Sequence, residues 1–189
     1  MAAADVALIL LRLVVGGTMI AHGVNHWIGG GKIAGTGRWF ASLGLRRGLL
    51  QAWLSVIVEI GAGALLVLGL LTPFAAAAIV SVMLVAGLLA HRGNGFFVFK
   101  DGYEYVLVLA AAAVALGLLG PGWLSLDHAA GIEVTGWAGG GIAMFLGAAA
   151  TAGLLAVFYR PASDPPAPTR TDSATTDVPI ADSATEEVR

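Results

Sequence analysis

At 189 residues the chain has the length of one domain, yet 58% of it is hydrophobic and 12% is charged, with a mean hydropathy of +0.85. A soluble domain carries about twice that share of charge, so the composition is that of an integral membrane protein. The net charge of −2 includes no long run of Lys or Arg, which argues against nucleic acid, and there is no cysteine. Disulfides, thiol redox chemistry, cysteine-ligated iron–sulfur clusters and cysteine-attached haem are therefore excluded in this chain.

Hydropathy predicts five helices. The first runs from about Val6 to Ile28. The first 27 residues have no basic leader and contain Asp5 and Arg12 where a signal's apolar core would be clean, so they read as a retained span and not as a signal peptide. The loop after it contains "GTGRWFASLGL", in which Trp39, Phe40 and Leu43 share one helical side. A short helix lying in the interface is the plain expectation, and a lid over the mouth of the bundle the functional alternative.

The second span covers about Leu49 to Leu71 and the third ends near His91, with Thr72 as the expected N-cap and Pro73 in the first turn between them. The fourth starts around Tyr103 and closes before "GPG" at 120–122; the fifth fills residues 136 to 159. Gly and Ala within the spans, as in Gly61-x-Gly63 and the Ala75–Ala78 run, predict close helix packing. Residues 160–189 are polar and Pro-rich, without apolar periodicity, and are expected to be a disordered tail. Lys32, Arg38, Arg46, Arg47, Arg92, Lys100 and Arg160 fall in alternate connections. The positive-inside rule then places the N-terminus outside and the C-terminus in the cytoplasm.

Ionisable residues inside a span usually face the bundle interior and mark function. Counted from the cytoplasmic ends at ~1.5 Å per residue, Arg12 lies roughly 24 Å up and Glu59 roughly 15 Å. A long arginine reaching down could nearly meet the glutamate; the alternative is a Glu59 carried as the neutral acid. Such residues serve either to fix helix register or to form a proton or quinone-headgroup site. A second group, His22, Asn25, His26, His91 and Glu104, converges on one membrane level because odd and even spans run in opposite directions. Three chemistries fit it. A bis-histidine haem would use His22 and His91; a carboxylate–histidine metal site would use His22, His26 and Glu104. A quinone pocket would use His22, Glu104, Tyr103 and Trp39. Terminal histidines such as His26 and His91 are more often wet interfacial residues.

The segments "LRLVVGGTMIAHGVNHW" (11–27), "GTGRWFASLGL" (35–45), "VEIGAGALLVLGLLT" (58–72), "NGFF" (94–97), "GYEYVLVL" (102–109) and "GPGWLSLDH" (120–128) resemble the DoxX family of small membrane proteins. The resemblance implies an all-α, integral membrane four-helix bundle over residues 1–128. An added fifth transmembrane helix over 129–159 and the polar tail 160–189 would follow it. It also implies a setting in quinone-linked redox or oxidative-stress systems of the plasma (inner) membrane. By motif match, Arg12, His22, Glu59 and Glu104 take the positions of the family's embedded polar residues. His26 stands where the family often has lysine, which counts against any haem or metal site that requires His26.

The expectation is thus a membrane subunit without a self-contained redox centre. Its polar pocket, of Arg12, His22, Glu59, Glu104 and Tyr103 with His26, Trp39 and His91 at the rim, would hold a quinone headgroup or relay protons. No metal is assigned. Its partners would be the bilayer, soluble or membrane redox proteins and further copies of itself. The alternative from another class is a scaffold that docks redox enzymes without chemistry of its own; a small carrier ranks behind both.

Overall fold

The computed structural model describes residues 2–161. They fold into an all-α bundle whose successive long helices run up and down. Helix α1 is Ala3–Ile28, α2 Lys32–Ser42, α3 Gly48–Leu68 and α4 Thr72–Ala86. Helix α4 runs on through a π-helical turn, Gly87–His91, and a 3-10 turn, Arg92–Asn94. Then come α5 (Glu104–Leu119), the short α6 (Leu126–Ala130), α7 (Gly136–Gly141), a second π-helical turn (Ile142–Leu146) and α8 (Gly147–Phe158).

Four continuous helical stretches, Ala3–Ile28, Gly48–Leu68, Thr72–Asn94 and Gly136–Phe158, are long and apolar enough to cross a membrane. The expected fourth span is shorter. Helix α5 has 16 residues, about 24 Å against ~30 Å of hydrocarbon, because Gly120 at φ 83° ends it and the polar turns before Tyr103 delay its start. The chain is a multi-pass membrane protein. The tail expected to be disordered lies, from residue 162 onward, outside the described residues.

Small residues set the packing. A Cβ on Gly16 would stand 2.6 Å from the carbonyl of Gly63, and one on Gly63 2.5 Å from that of Gly16, so α1 and α3 touch backbone to backbone. Gly61, by contrast, faces open space. Ala75, Ala76 and Ala77 are buried where α4 meets α5 and α8. Gly147 of α8 lies close against Ala77, which ties the last long helix into the same core. Without an aqueous hydrophobic effect between helices, such close van der Waals contact is what holds a membrane bundle together.

The start of α4 differs from the expected threonine cap. Thr72 is already helical, and the carboxylate of Asp127 supplies the cap from across the bundle. Asp127 accepts hydrogen bonds from the backbone N–H groups of Leu71 (2.7 Å) and Thr72 (2.9 Å) and from the Thr72 hydroxyl (2.8 Å). A buried anion at a helix N-terminus satisfies donors that have no partner within the helix.

Candidate functional site

At the end of the bundle opposite Asp127, six elements meet: the end of α1, α2, the start of α3, the end of α4, the start of α5 and the end of α8. The alternation expected from the sequence brings them together. Backbone hydrogen bonds from Arg46 N–H to Phe158 (2.8 Å) and from Arg160 N–H to Gly44 (2.8 Å) tie the end of α8 to the loop between α2 and α3. They enclose a cavity of about 490 Å³ with mainly apolar walls, among them Met19, Phe40, Leu54, Val58 and Met83.

The polar groups facing it rise in order along α3. Gln51, Ser55 and Glu59 are spaced four apart, so they form one slanted row on the helix face. Glu59 is 2% exposed and accepts a hydrogen bond from the Ser55 hydroxyl. Across from it, His26 Nε2 of α1 stands 3.7 Å from Glu59 Oε1. The His26 ring is held against Trp39 and Phe40 of α2, with ring centroids at 6.0 and 5.8 Å. Helix α2 is positioned by Thr36, whose hydroxyl donates to the His26 carbonyl at 2.8 Å, and by Gly37, which lets α2 lie close on Leu49 of α3. The side of α2 carrying Trp39, Phe40 and Leu43 faces the cavity, so this helix forms part of its wall.

Several expected partnerships are replaced by others. Arg12 does not reach Glu59 and does not line the cavity. It is 4% exposed, and its guanidinium donates to the carbonyls of Leu66 (3.0 Å), Val67 (2.8 Å), Pro121 (2.6 Å) and Leu124 (2.9 Å). The αL turn at Gly69 frees carbonyls at the end of α3, and these lie much nearer to Arg12 than Glu59 does. Glu104 does not pair with His22 either. Its carboxylate accepts from the backbone N–H of Val98 at 3.0 Å, closing the turn Val98–Lys100 that precedes α5.

His22 lines the cavity but stacks on Tyr105, with centroids 6.0 Å apart, while Tyr103 packs on Phe96 outside it. His22 and Tyr105 are both exposed, so they mark where the cavity opens between α1 and α5. His91 and Trp39 are among the residues that line the cavity. His91 Nδ1 lies 2.8 Å from the Asp101 carbonyl and therefore carries the proton on that nitrogen. His26, expected at the rim, instead stands beside the buried carboxylate. Gln51 and Ser55 were not singled out by sequence; their four-residue spacing to Glu59 was the available signal. Among the described residues no three His, Asp or Glu side chains gather closely enough to hold a metal ion.

Fold and cavity together define a small helical membrane protein with a polar-floored pocket near one end of its bundle. The DoxX family model matches residues 7–92, so that segment is similar to DoxX proteins, in line with the resemblance read from its motifs. The match takes in Arg12, His22, Gln51 and Glu59 but stops short of Glu104. No curated protein and no solved structure matches the chain.

Proposed function

We propose that the cavity holds the headgroup of a membrane quinone, and that the chain serves as a membrane subunit of a quinone-linked or oxidative-stress oxidoreductase system. The observation that carries this reading is the placement of Glu59. A carboxyl with 2% exposure sits on a mainly apolar cavity wall, with Ser55 as its hydrogen-bond donor and His26 at 3.7 Å. Burying such a group is costly unless its hydrogen bonds are met, and only some of this carboxyl's capacity is used within the fold. Apolar walls with a few convergent polar groups suit a flat, greasy ring with polar edges. Glu59 and His26 together can accept or release a proton at that ring. With no cysteine in its sequence, the chain would exchange electrons through partner proteins at the cavity end, which by the charge bias would face the cytoplasm.

Mass spectrometry of gently extracted protein tests this. Quinone should co-purify with the wild-type chain and fall at least fivefold with Glu59→Leu, which keeps the volume but removes the polar floor. Protein that inserts normally and carries no quinone would overturn the reading.

A second reading, a scaffold that docks soluble redox enzymes, draws on the loop before α5. There Phe97, Val98 and Phe99 are exposed beside Arg92 and Lys100. On this reading Glu59→Gln leaves partner binding and stress resistance intact. A variant that assembles yet loses stress resistance removes it.

A further inference from the structure

We propose that the basic outer surface at the cavity end of the bundle is the docking site for the acidic segment 172–188 of the same chain. The inference concerns the outside of that end and does not depend on what fills the cavity.

Seven bases gather there: two on α2, Arg46 and Arg47 between α2 and α3, two in the segment between α4 and α5, and Arg160 after α8. All seven are exposed. Against them stand two surface acids, Asp101 and Glu104, and the carboxylate of Glu104 already accepts from the Val98 N–H. Among the described residues, the ion pairs within 4 Å all use a histidine as their base, so the fold neutralises none of the seven. The surface keeps an excess of five positive charges.

The chain supplies the complement. Residues 162–189 hold six acids and two bases, an excess of four negative charges. Five of the six acids fall in a repeated motif, "DSATTDV" at 172–178 and "DSATEEV" at 182–188. The two copies agree at five of seven positions and both keep an acid at the sixth. Two like-charged copies on one tether bind a basic surface with more avidity than one.

The point of departure favours this surface. Arg160 N–H donates to the Gly44 carbonyl and Arg46 N–H to that of Phe158, each at 2.8 Å, so the segment leaves the bundle beside Arg46 and Arg47. Asp172 lies 12 residues beyond Arg160, a reach of up to about 40 Å. A bundle two or three helices across is only about 20–35 Å wide. With no apolar run long enough to recross a bilayer, the segment stays on the face that carries the bases. Single exposed ion pairs are weak. The tether compensates by holding five acids at an effective concentration on the order of millimolar. Once docked, the segment occupies bases that an anionic partner would otherwise use.

The test uses the absence of cysteine. Ser183→Cys, in the second copy, accepts a single nitroxide, and electron paramagnetic resonance of the full chain in discs of zwitterionic lipid reads the share of slowed label. At low salt about half of the label or more should be slowed. Salt at 1 M, which cuts the screening length to about 3 Å, should lower that share at least threefold. Arg46→Gln with Arg47→Gln should lower it as far at low salt without changing the melting temperature, because both side chains are exposed. The combined change Asp172→Asn, Asp177→Asn, Asp182→Asn, Glu186→Gln and Glu187→Gln should do the same. It leaves every residue of the bundle in place, so it decides the matter even if the arginine variant misfolds. Discs containing one third anionic lipid should keep the slowed share within about twofold. A label that is mobile at low salt, or slowed regardless of salt and of the five-acid change, overturns the proposal. A label released by anionic lipid assigns the bases to lipid headgroups and overturns it too.

Discussion

The two ends of the bundle use buried polar groups in opposite ways. At the end where α3 turns into α4, Arg12 meets four carbonyls and Asp127 meets three donors, so these groups are spent on the fold. At the other end, Gln51 has no partner for its N–H, Glu59 has one hydroxyl donor, and His26 stands near it without a hydrogen bond. Both ends contain charge-bearing residues in apolar helices, and composition alone would class them together. What separates them is whether the hydrogen-bonding capacity is filled. The filled end is a staple. The unfilled end surrounds a cavity, where a ligand can meet the carboxyl of Glu59.

The contrast breaks first at Arg12. Arg12→Leu leaves four carbonyls without their donor, and leaving buried groups unpaired is the dearest kind of point change. We expect a loss on the order of 3–5 kcal/mol, read as a fall of about 10 °C or more in the melting temperature in detergent. Arg12→Lys should recover only part, since an ammonium cannot address four spread carbonyls as a guanidinium fork does. A variant that melts with the wild type would mean that this end is not a staple.

The α1–α3 contact above the cavity comes next. Gly16→Val drives a side chain into the Gly63 carbonyl and the Val67 backbone, neither of which can swing aside. The expected loss is about 2–3 kcal/mol, as in overpacked cores. Gly17 has open space around a Cβ, so Gly17→Ala should be neutral or slightly stabilising through helix propensity. Equal losses at both positions would show that α1 and α3 meet through another face.

Much of this arrangement was legible from residues alone. The apolar runs gave the helices, alternation brought His22, His26, His91 and the start of α5 to one level, and Trp39–Phe40 announced α2. Pairing was not legible. Depth counting brought Arg12 towards Glu59 because it treats helix ends as smooth cylinders, whereas the turn at Gly69 offers carbonyls close to Arg12. Glu104 looked like a pocket residue because alternation puts it at the membrane level of His22 and His91; the 3-10 turn at Val98 folds back and takes up its carboxylate. Gln51 gave no signal by type, since a glutamine near a membrane boundary is ordinarily wet. In the folded chain, where α2 packs closely on α3, it is only 3% exposed.

At the filled end a smaller effect is expected from Asp127→Ala, which removes the cap of α4. Caps are worth about 0.5–2 kcal/mol, and the buried N–H of Thr72 places this one in the upper half of that range. Asp127→Asn keeps an acceptor and should recover about half. Quinone retention should be unchanged in both, because the cavity lies at the other end. Loss of quinone in a well-folded Asp127→Asn chain would couple the two ends and undo the division between them.

The smallest effect separates two glutamates that the sequence places at neighbouring levels. Glu104 is half-buried, accepts one backbone N–H and does not line the cavity. Glu104→Gln keeps an acceptor for Val98, so the cost should stay below about 0.5 kcal/mol, the range of surface changes away from special features. Quinone retention should match the wild type, whereas Glu59→Leu lowers it at least fivefold. If Glu104→Gln releases quinone as Glu59→Leu does, the turn before α5 closes over the ligand and the polar floor extends to α5. If only Glu59 responds, the proton-handling group is confined to the α1–α3 face, where the basic side chain of His26 lies 3.7 Å from it.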